Sequence, residues 1–290
     1  MPHDQASQLR RQLGRWDAVA IFVGIILGSG IFVAPRYVAE AAPGALAGVG
    51  LWLIGGIIAA CGAFCYAECA ARLPRTGGFY VFYRAVYGES VAFVGGWAAI
   101  LITYPASIAA SAHIFSDYLR EVVPVPAAAG SLPAAAAVLA AGLLNAIGVR
   151  VGAGTQRVLT SIKVVALLIL CVSAVAFAPA RDATAASPAP FEIAGSFVLV
   201  LTALMGLLWT YDGWSDVTLV AGEIKEPGRN LGRAVLIGIA VLVGSYVAVQ
   251  LSVQVLLPPS VAASSDRVLS DAVGVGLGEG AGRLIAVLIV

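Results

Sequence analysis

The 290-residue chain is 60% apolar and 11% charged, with 17 Lys and Arg against 16 Asp and Glu. Soluble globular domains hold about 45–50% apolar and about 25% charged residues, which excludes water as the main solvent here. The net charge of +1 is scattered between apolar runs, so no basic patch offers to bind nucleic acid.

In chain order, residues 1–16 form a polar, basic segment. It lacks the short apolar region and small-residue cleavage site of a signal peptide, so the first span is expected to stay in the protein. Runs of about 20 apolar residues, enough to cross a hydrocarbon core, then recur along the chain. We read spans near residues 17–42, 45–71, 90–121, 132–148, 156–179, 195–222 and 233–257, with an eighth beginning near Arg283. The runs are continuous, whereas a membrane β-barrel shows short alternating segments. The fold class expected is an all-α polytopic membrane protein, solvated by membrane lipid.

Charges between the spans set an orientation. Arg10, Arg11 and Arg15 precede span one; Arg72, Arg75 and Arg84 follow span two; Arg150 and Arg157 separate four from five; Lys225, Arg229 and Arg233 follow six. All four groups fall on one side, and the opposite loops hold only Arg36, Arg120, Arg181, Arg267 and Arg283. The positive-inside rule therefore puts the N-terminus in the cytoplasm. The chain ends on Leu284–Val290, an apolar run much shorter than a span, which reads as a truncated crossing.

Two spans are interrupted. Span one contains Gly28-Ser29-Gly30-Ile31-Phe32 followed by Pro35, and span six contains Trp209-Thr210-Tyr211-Asp212-Gly213-Trp214. Glycine costs about 1 kcal/mol relative to alanine in a helix interior. Non-helical backbone at membrane depth is tolerated only where it is buried or lines a cavity. Paired breaks are the pattern of inverted-repeat transporters, where freed N–H groups meet an anionic ligand group and unwound carbonyls receive a cation. The bland alternatives are close helix packing for Gly28 and Gly30 and an interfacial aromatic belt for Trp209, Tyr211 and Trp214.

Asp212 is a carboxylate at mid-membrane, costing on the order of 2.5–3.5 kcal/mol, and is expected to face a wet cavity or a partner. Lys163 sits more than a turn inside span five. It either snorkels to the interface or is a buried ammonium that exchanges a proton or replaces a bound sodium ion. Glu68 is placed to pair with Arg72 at i, i+4, and His113 reads as a packing residue. Cys61, Cys65 and Cys69 repeat on one stripe of span two. With Cys171 they read as small packing residues, because no second cluster completes a metal site.

Four segments resemble, in order, motifs of the amino acid-polyamine-organocation superfamily, nearest its L-type amino acid transporters. They are Gly28-Ser29-Gly30-Ile31-Phe32, Leu73-Pro74-Arg75-Thr76-Gly77-Gly78-Phe79-Tyr80, Tyr211-Asp212-Gly213-Trp214 and Gly222-Glu223-Ile224-Lys225-Glu226-Pro227-Gly228-Arg229-Asn230. The resemblance implies a LeuT-like inverted-repeat bundle. Residues 17–179 would be a complete first repeat of five spans, and residues 195–290 a partial second repeat.

It also implies a site. The substrate carboxylate is held by backbone N–H groups around Ser29, Gly30 and Ile31, with Gly28 in the same substrate-binding break. The amine meets carbonyls near Ile26, Trp209 and Asp212, with Tyr211 and Gly213 in the same break and Trp209 as an aromatic gate. Lys163 aligns with a lysine that supports sodium-independent transport. The substrate implied is an amino acid, by default neutral, carried by exchange or with protons. The family often has an acid at position 79 and proline at position 232, where this chain has Phe79 and Gly232. A non-transporting subunit, a sensor or an inactive fragment is the alternative of another class. No filter pattern suggests a channel. No nucleophile with its base and no metal-ligand cluster suggests an enzyme, a cofactor or a metal.

Overall fold

The structure is a computed structural model that describes residues 11–73, 75–147, 149–177, 190–193 and 196–289. Arg10, Pro74, Arg181, Val290 and the expected span ends at 148, 179 and 195 lie outside the described residues. The helices are α1 (Arg15–Ile26), α2 (Ala34–Ala41), α3 (Ala45–Arg72), α4 (Phe79–Tyr87), α5 (Glu89–Ala98), α6 (Tyr104–Val122), α7 (Leu132–Ile147), α8 (Val149–Phe177), α9 (Phe197–Thr210), α10 (Pro227–Leu256), α11 (Pro259–Ser264), α12 (Val268–Leu277) and α13 (Glu279–Ile289). Among the described residues the only β-pairing is an isolated parallel bridge, Leu13 to Ile224. Four helical stretches are long and apolar enough to cross a membrane: Ala45–Arg72, Glu89–Arg120, Val158–Phe177 and Pro227–Leu256. Their outward faces carry exposed Leu, Ile, Val and Phe, such as Ile57, Ile100, Leu101, Leu168 and Val175, in a density that water-soluble monomers rarely expose.

Several helices start outside the expected spans. Helix α10 begins at Pro227, six residues before the expected 233, and α13 begins at Glu279, ahead of Arg283. Charged residues mark where the apolar layer ends, but a helix runs on through its first turns. Proline at the first position of α10 supplies a fixed φ and needs no acceptor. Span three is interrupted by a π-helical turn at Ala99–Thr103. Pro105 lies two residues past its end and has no N–H to donate. Helices α4, α11 and α12 lie in segments read as loops.

The chain folds into two compact units. Unit 1 holds the residues up to Gly28, Ile54–Tyr104 and Leu208–Gly244; unit 2 holds Ser29–Leu53, Pro105–Leu207 and Ser245–Val290. The divisions fall inside spans one, two, three, six and seven, and for span one within the glycine break itself.

In unit 1, α3 buries Ala59, Ala63, Ala67 and Ala70 on one stripe. Small residues there admit bulky neighbours: a Cβ on Gly62 would lie 2.9 Å from the Trp214 ring. Trp214 meets Tyr66 edge-on at 5.1 Å, and Tyr66 meets Phe82 of α4 at 5.8 Å. Cys61, Cys65 and Cys69 stand exposed on the opposite face, so this stripe lies outside the core it was expected to pack. Glu68 and Arg72 pair at 2.8 Å, as their spacing suggested. At the N-terminus, Gln12 and Leu13 both donate their N–H to the Glu223 carbonyl, and Lys225 N–H donates to the Leu13 carbonyl.

Unit 2 is built around α2, α6, α8, α10 and α12. Arg36 of α2 pairs with Asp266 and donates from Nε to the Ala263 carbonyl of α11 at 3.1 Å. Gly282 and Gly274 let α13 and α12 cross closely, and Ser270 Oγ donates to the Gly282 carbonyl at 2.8 Å. Trp52 of α3 donates from Nε1 to Gln250 Oε1 of α10 at 3.0 Å, with both residues fully buried. Hydrogen bonds between membrane helices average about 0.6 kcal/mol and reach about 1.7. Trp52→Phe is therefore expected to cost about 1 kcal/mol in detergent melting experiments. A second change, Gln250→Leu, should then add little, because the two residues form one interaction.

Candidate functional site

Span one breaks where α1 stops at Ile26. Leu27 has φ −69° and ψ 69°, an inverse γ-turn. The turn closes with Gly28 N–H donating to the Ile26 carbonyl at 2.6 Å. A 3₁₀ turn at Gly30–Phe32 leads into α2. Phe32 N–H returns to the Ser29 carbonyl and Val33 N–H to the Gly30 carbonyl, each at 3.1 Å. Among the described residues, the N–H groups of Ser29, Gly30 and Ile31 donate to no carbonyl. Gly30 and Ile31 are buried. An unpaired buried N–H is costly and rare, so the Gly30 and Ile31 donors, with the half-buried Ser29 beside them, are available to an acceptor.

Within unit 2 this segment is held by α6. Ser29 Oγ donates to Ser111 Oγ at 2.9 Å, and the buried Tyr118 hydroxyl donates to the Phe32 carbonyl at 3.1 Å. Neither α6 residue was singled out from the sequence. The signal available was their spacing of seven residues, which puts two hydroxyls on one helical face.

Span six breaks inside unit 1. Helix α9 ends at Thr210, and residues 211–215 turn before a 3₁₀ helix at Asp216–Glu223. Asp212 N–H bonds the Trp209 carbonyl at 3.1 Å, and Asp216 N–H bonds the Gly213 carbonyl at 3.0 Å. Gly213 has φ +102°, a conformation that favours glycine. A Cβ there would lie 2.8 Å from Ile25 Cγ2 and 3.5 Å from Ile26 Cγ1. The break of span six thus abuts the last turn of α1, bringing Gly213 and Ile26 together.

Asp212 is exposed and Trp209 partly exposed. The Tyr104 hydroxyl, at the end of the π-turn, lies within electrostatic reach of Asp212 and Asp216, a third group that sequence reading missed. Ser215 Oγ donates to Asp216 Oδ1 at 3.3 Å. Tyr211 is fully buried and packs against α3 beside Gly56. Lys163 is partly buried in the middle of α8. None of the hydrogen bonds or ion pairs among the described residues joins it to either break.

The local chemistry consists of a row of N–H donors without carbonyl partners in unit 2, two of the three buried, and, in unit 1, an unwound turn with an accessible carboxylate. Such parts are able to hold and orient a charged ligand. Among the described residues no group of three or more His, Cys, Asp or Glu is placed to hold a metal ion.

A family model described as amino acid permease matches residues 13–290. The human b(0,+)-type amino acid transporter 1 is 30% identical over 284 residues, covering 95% of this chain and 56% of the relative. The large neutral amino acids transporter small subunit 2 of Oryctolagus cuniculus is 31% identical over 279 residues, covering 93% and 51%. The Asc-type amino acid transporter 1 of Mus musculus is 30% identical over 281 residues, covering 93% and 52%. The chain spans about half the length of these curated relatives, which are transporters and not enzymes. With the match running over nearly the whole sequence and helices apolar enough to cross a bilayer several times, the chain is a multi-pass membrane protein that belongs to the amino acid permease family, in the L-type branch of the amino acid-polyamine-organocation permeases.

Proposed function

We propose that the chain carries the substrate-holding part of a sodium-independent transporter of neutral amino acids that works by alternating access. The observation that carries this reading is the row of unpaired N–H groups at Ser29, Gly30 and Ile31. A carboxylate accepts several hydrogen bonds at once, and charge-assisted bonds are about twice as strong as neutral ones. The amine is received by the unwound backbone near Ile26, Trp209 and Asp212, with Trp209 closing over the side chain, Gly28 forming the turn of span one, and Tyr211 and Gly213 shaping that of span six. Lys163 supplies a fixed positive charge in span five where other carriers bind sodium.

The scaffold in this reading is LeuT-like, with residues 17–179 as the first repeat and 195–290 as part of the second. The N-terminus is cytoplasmic. In support, Arg10, Arg11 and Arg15, Arg72, Arg75 and Arg84, Arg150 and Arg157, and Lys225, Arg229 and Arg233 fall in the segments that the span order puts on one side. Asp212 either favours amine-rich substrates or takes part in proton-linked uptake.

The test is reconstitution of the purified chain in liposomes preloaded with mixed amino acids, with Gly30→Leu as control. Saturable, sodium-independent uptake that rises with substrate inside and vanishes in the control is expected. Stimulation by substrate inside indicates exchange, and stimulation by an imposed proton gradient indicates symport. Uptake indifferent to Gly30→Leu would overturn the site. A folded chain that binds amino acid without moving it would favour a binding subunit or sensor.

A further inference from the structure

We propose that Ser111 is a further binding residue: its hydroxyl donates to the substrate carboxylate beside the N–H groups of Ser29, Gly30 and Ile31, which makes span three part of the site. The proposal rests on the reading that this row of N–H groups receives a carboxylate.

Two hydroxyls carry two protons, and the Ser29–Ser111 pair uses one of them. Ser29 Oγ donates to Ser111 Oγ at 2.9 Å, so the Ser111 oxygen serves as an acceptor and its own proton is left to give. A serine or threonine inside a membrane helix often returns that proton to a carbonyl three or four residues back. The chain does so elsewhere: Ser173 donates to the Leu170 carbonyl, Ser252 to Ala248 and Thr202 to Val198. Among the described residues Ser111 bonds Ser29 alone and makes no such return to its own helix. Both serines are half-buried, whereas Gly30 and Ile31 are buried, so the uncommitted hydroxyl stands at the accessible end of the donor row.

The placement suits a carboxylate. Ser111 Oγ is one hydrogen bond from Ser29, whose N–H is the first donor of the row. A carboxylate has two oxygens and about four acceptor positions. With one oxygen on the N–H row, the other is left to take a hydroxyl one hydrogen bond farther along. A second contact fixes α6 beside the break: Tyr118, fully buried, donates to the Phe32 carbonyl at 3.1 Å. Ser111 and Tyr118 lie seven residues apart, about two helical turns, so both hydroxyls are on one face of α6.

The experiment measures equilibrium binding of radiolabelled leucine to the purified full chain, and competition by leucinamide, which lacks the carboxylate charge. Ser111→Ala is expected to weaken leucine about tenfold and leucinamide about threefold, because a hydrogen bond to a charged acceptor is roughly twice as strong as a neutral one. Ser111→Thr keeps the hydroxyl and should bind leucine as the wild type does. Ser29→Ala separates two roles for Ser111. If Ser111 only steadies Ser29, its replacement by alanine has no further effect once Ser29 is alanine too. If it touches the ligand, Ser111→Ala still weakens leucine several-fold in that background. Equal losses for leucine and leucinamide, or no further loss in the Ser29→Ala background, would overturn the proposal and leave the N–H row standing. A wild-type chain that binds neither compound would overturn the carboxylate reading and the proposal with it.

Discussion

Replacing Gly213 by alanine should lower amino acid affinity at least tenfold and reduce the melting temperature in detergent. Two costs add. At φ +102° an L-residue is strained, by roughly 1–2 kcal/mol for left-handed backbone. The new methyl would also sit 2.8 Å from Ile25 Cγ2, and overpacking of this kind costs about 1–3 kcal/mol. Gly88 separates the two terms. It has φ +88° but open space where a methyl would go, with nothing within 4 Å, so Gly88→Ala meets the backbone cost alone. The excess loss at Gly213 reports the contact with α1, and that contact is what joins the span-six turn to Ile25 and Ile26. If Gly213→Ala and Gly88→Ala destabilise equally and binding is unchanged, the Gly213 contact has no part in the site.

The second large effect is expected at Gly238 in α10, where the ordinary rule should reverse sign. Gly→Ala in a helix interior stabilises by about 1 kcal/mol. At Gly238 the new Cβ would overlap the ring of Phe22 of α1, 2.9 Å from Cε1 and closer still to Cδ1. Phe22 is fully buried, so its ring yields only by disturbing a close-packed interior. The overpacking cost of about 1–3 kcal/mol then exceeds the propensity gain, and Gly238→Ala should lower the melting temperature. Gly244, on the same helix with nothing within 4 Å, should behave by the rule and raise it. Two glycine-to-alanine changes six residues apart are thus expected to have opposite effects. A rise at both positions would mean that α1 and α10 do not pack through Gly238.

The same contrast explains which parts of this protein were legible in its residues. The long spans follow from apolar length alone, because only a helix satisfies its backbone within a bilayer. The breaks are legible because Gly28, Gly30 and Gly213 sit where lipid favours uninterrupted helix. The helices α11 and α12 were not, since they are short and follow a proline-rich turn. They are stabilised by burying Ala262, Val268, Leu269, Ala272 and Val273 against the rest of unit 2. Nor did the Cys61, Cys65 and Cys69 stripe declare its direction. A helix with apolar residues all round gives no periodicity to say which face meets protein.

Composition and local chemistry by themselves determined the solvent, the spans, the positions of both breaks and the family motifs. Each of these depends on residues adjacent in the chain or one helical turn apart. Tertiary structure alone decided that Ser111 and Tyr118 hold the span-one break, that Gly213 rests on Ile25 and that Trp214 meets Tyr66 edge-on. Those partners are separated by 82 residues in the case of Ser29 and Ser111. No periodicity reaches so far: only the packing of one helix against another selects which hydroxyl finds which break.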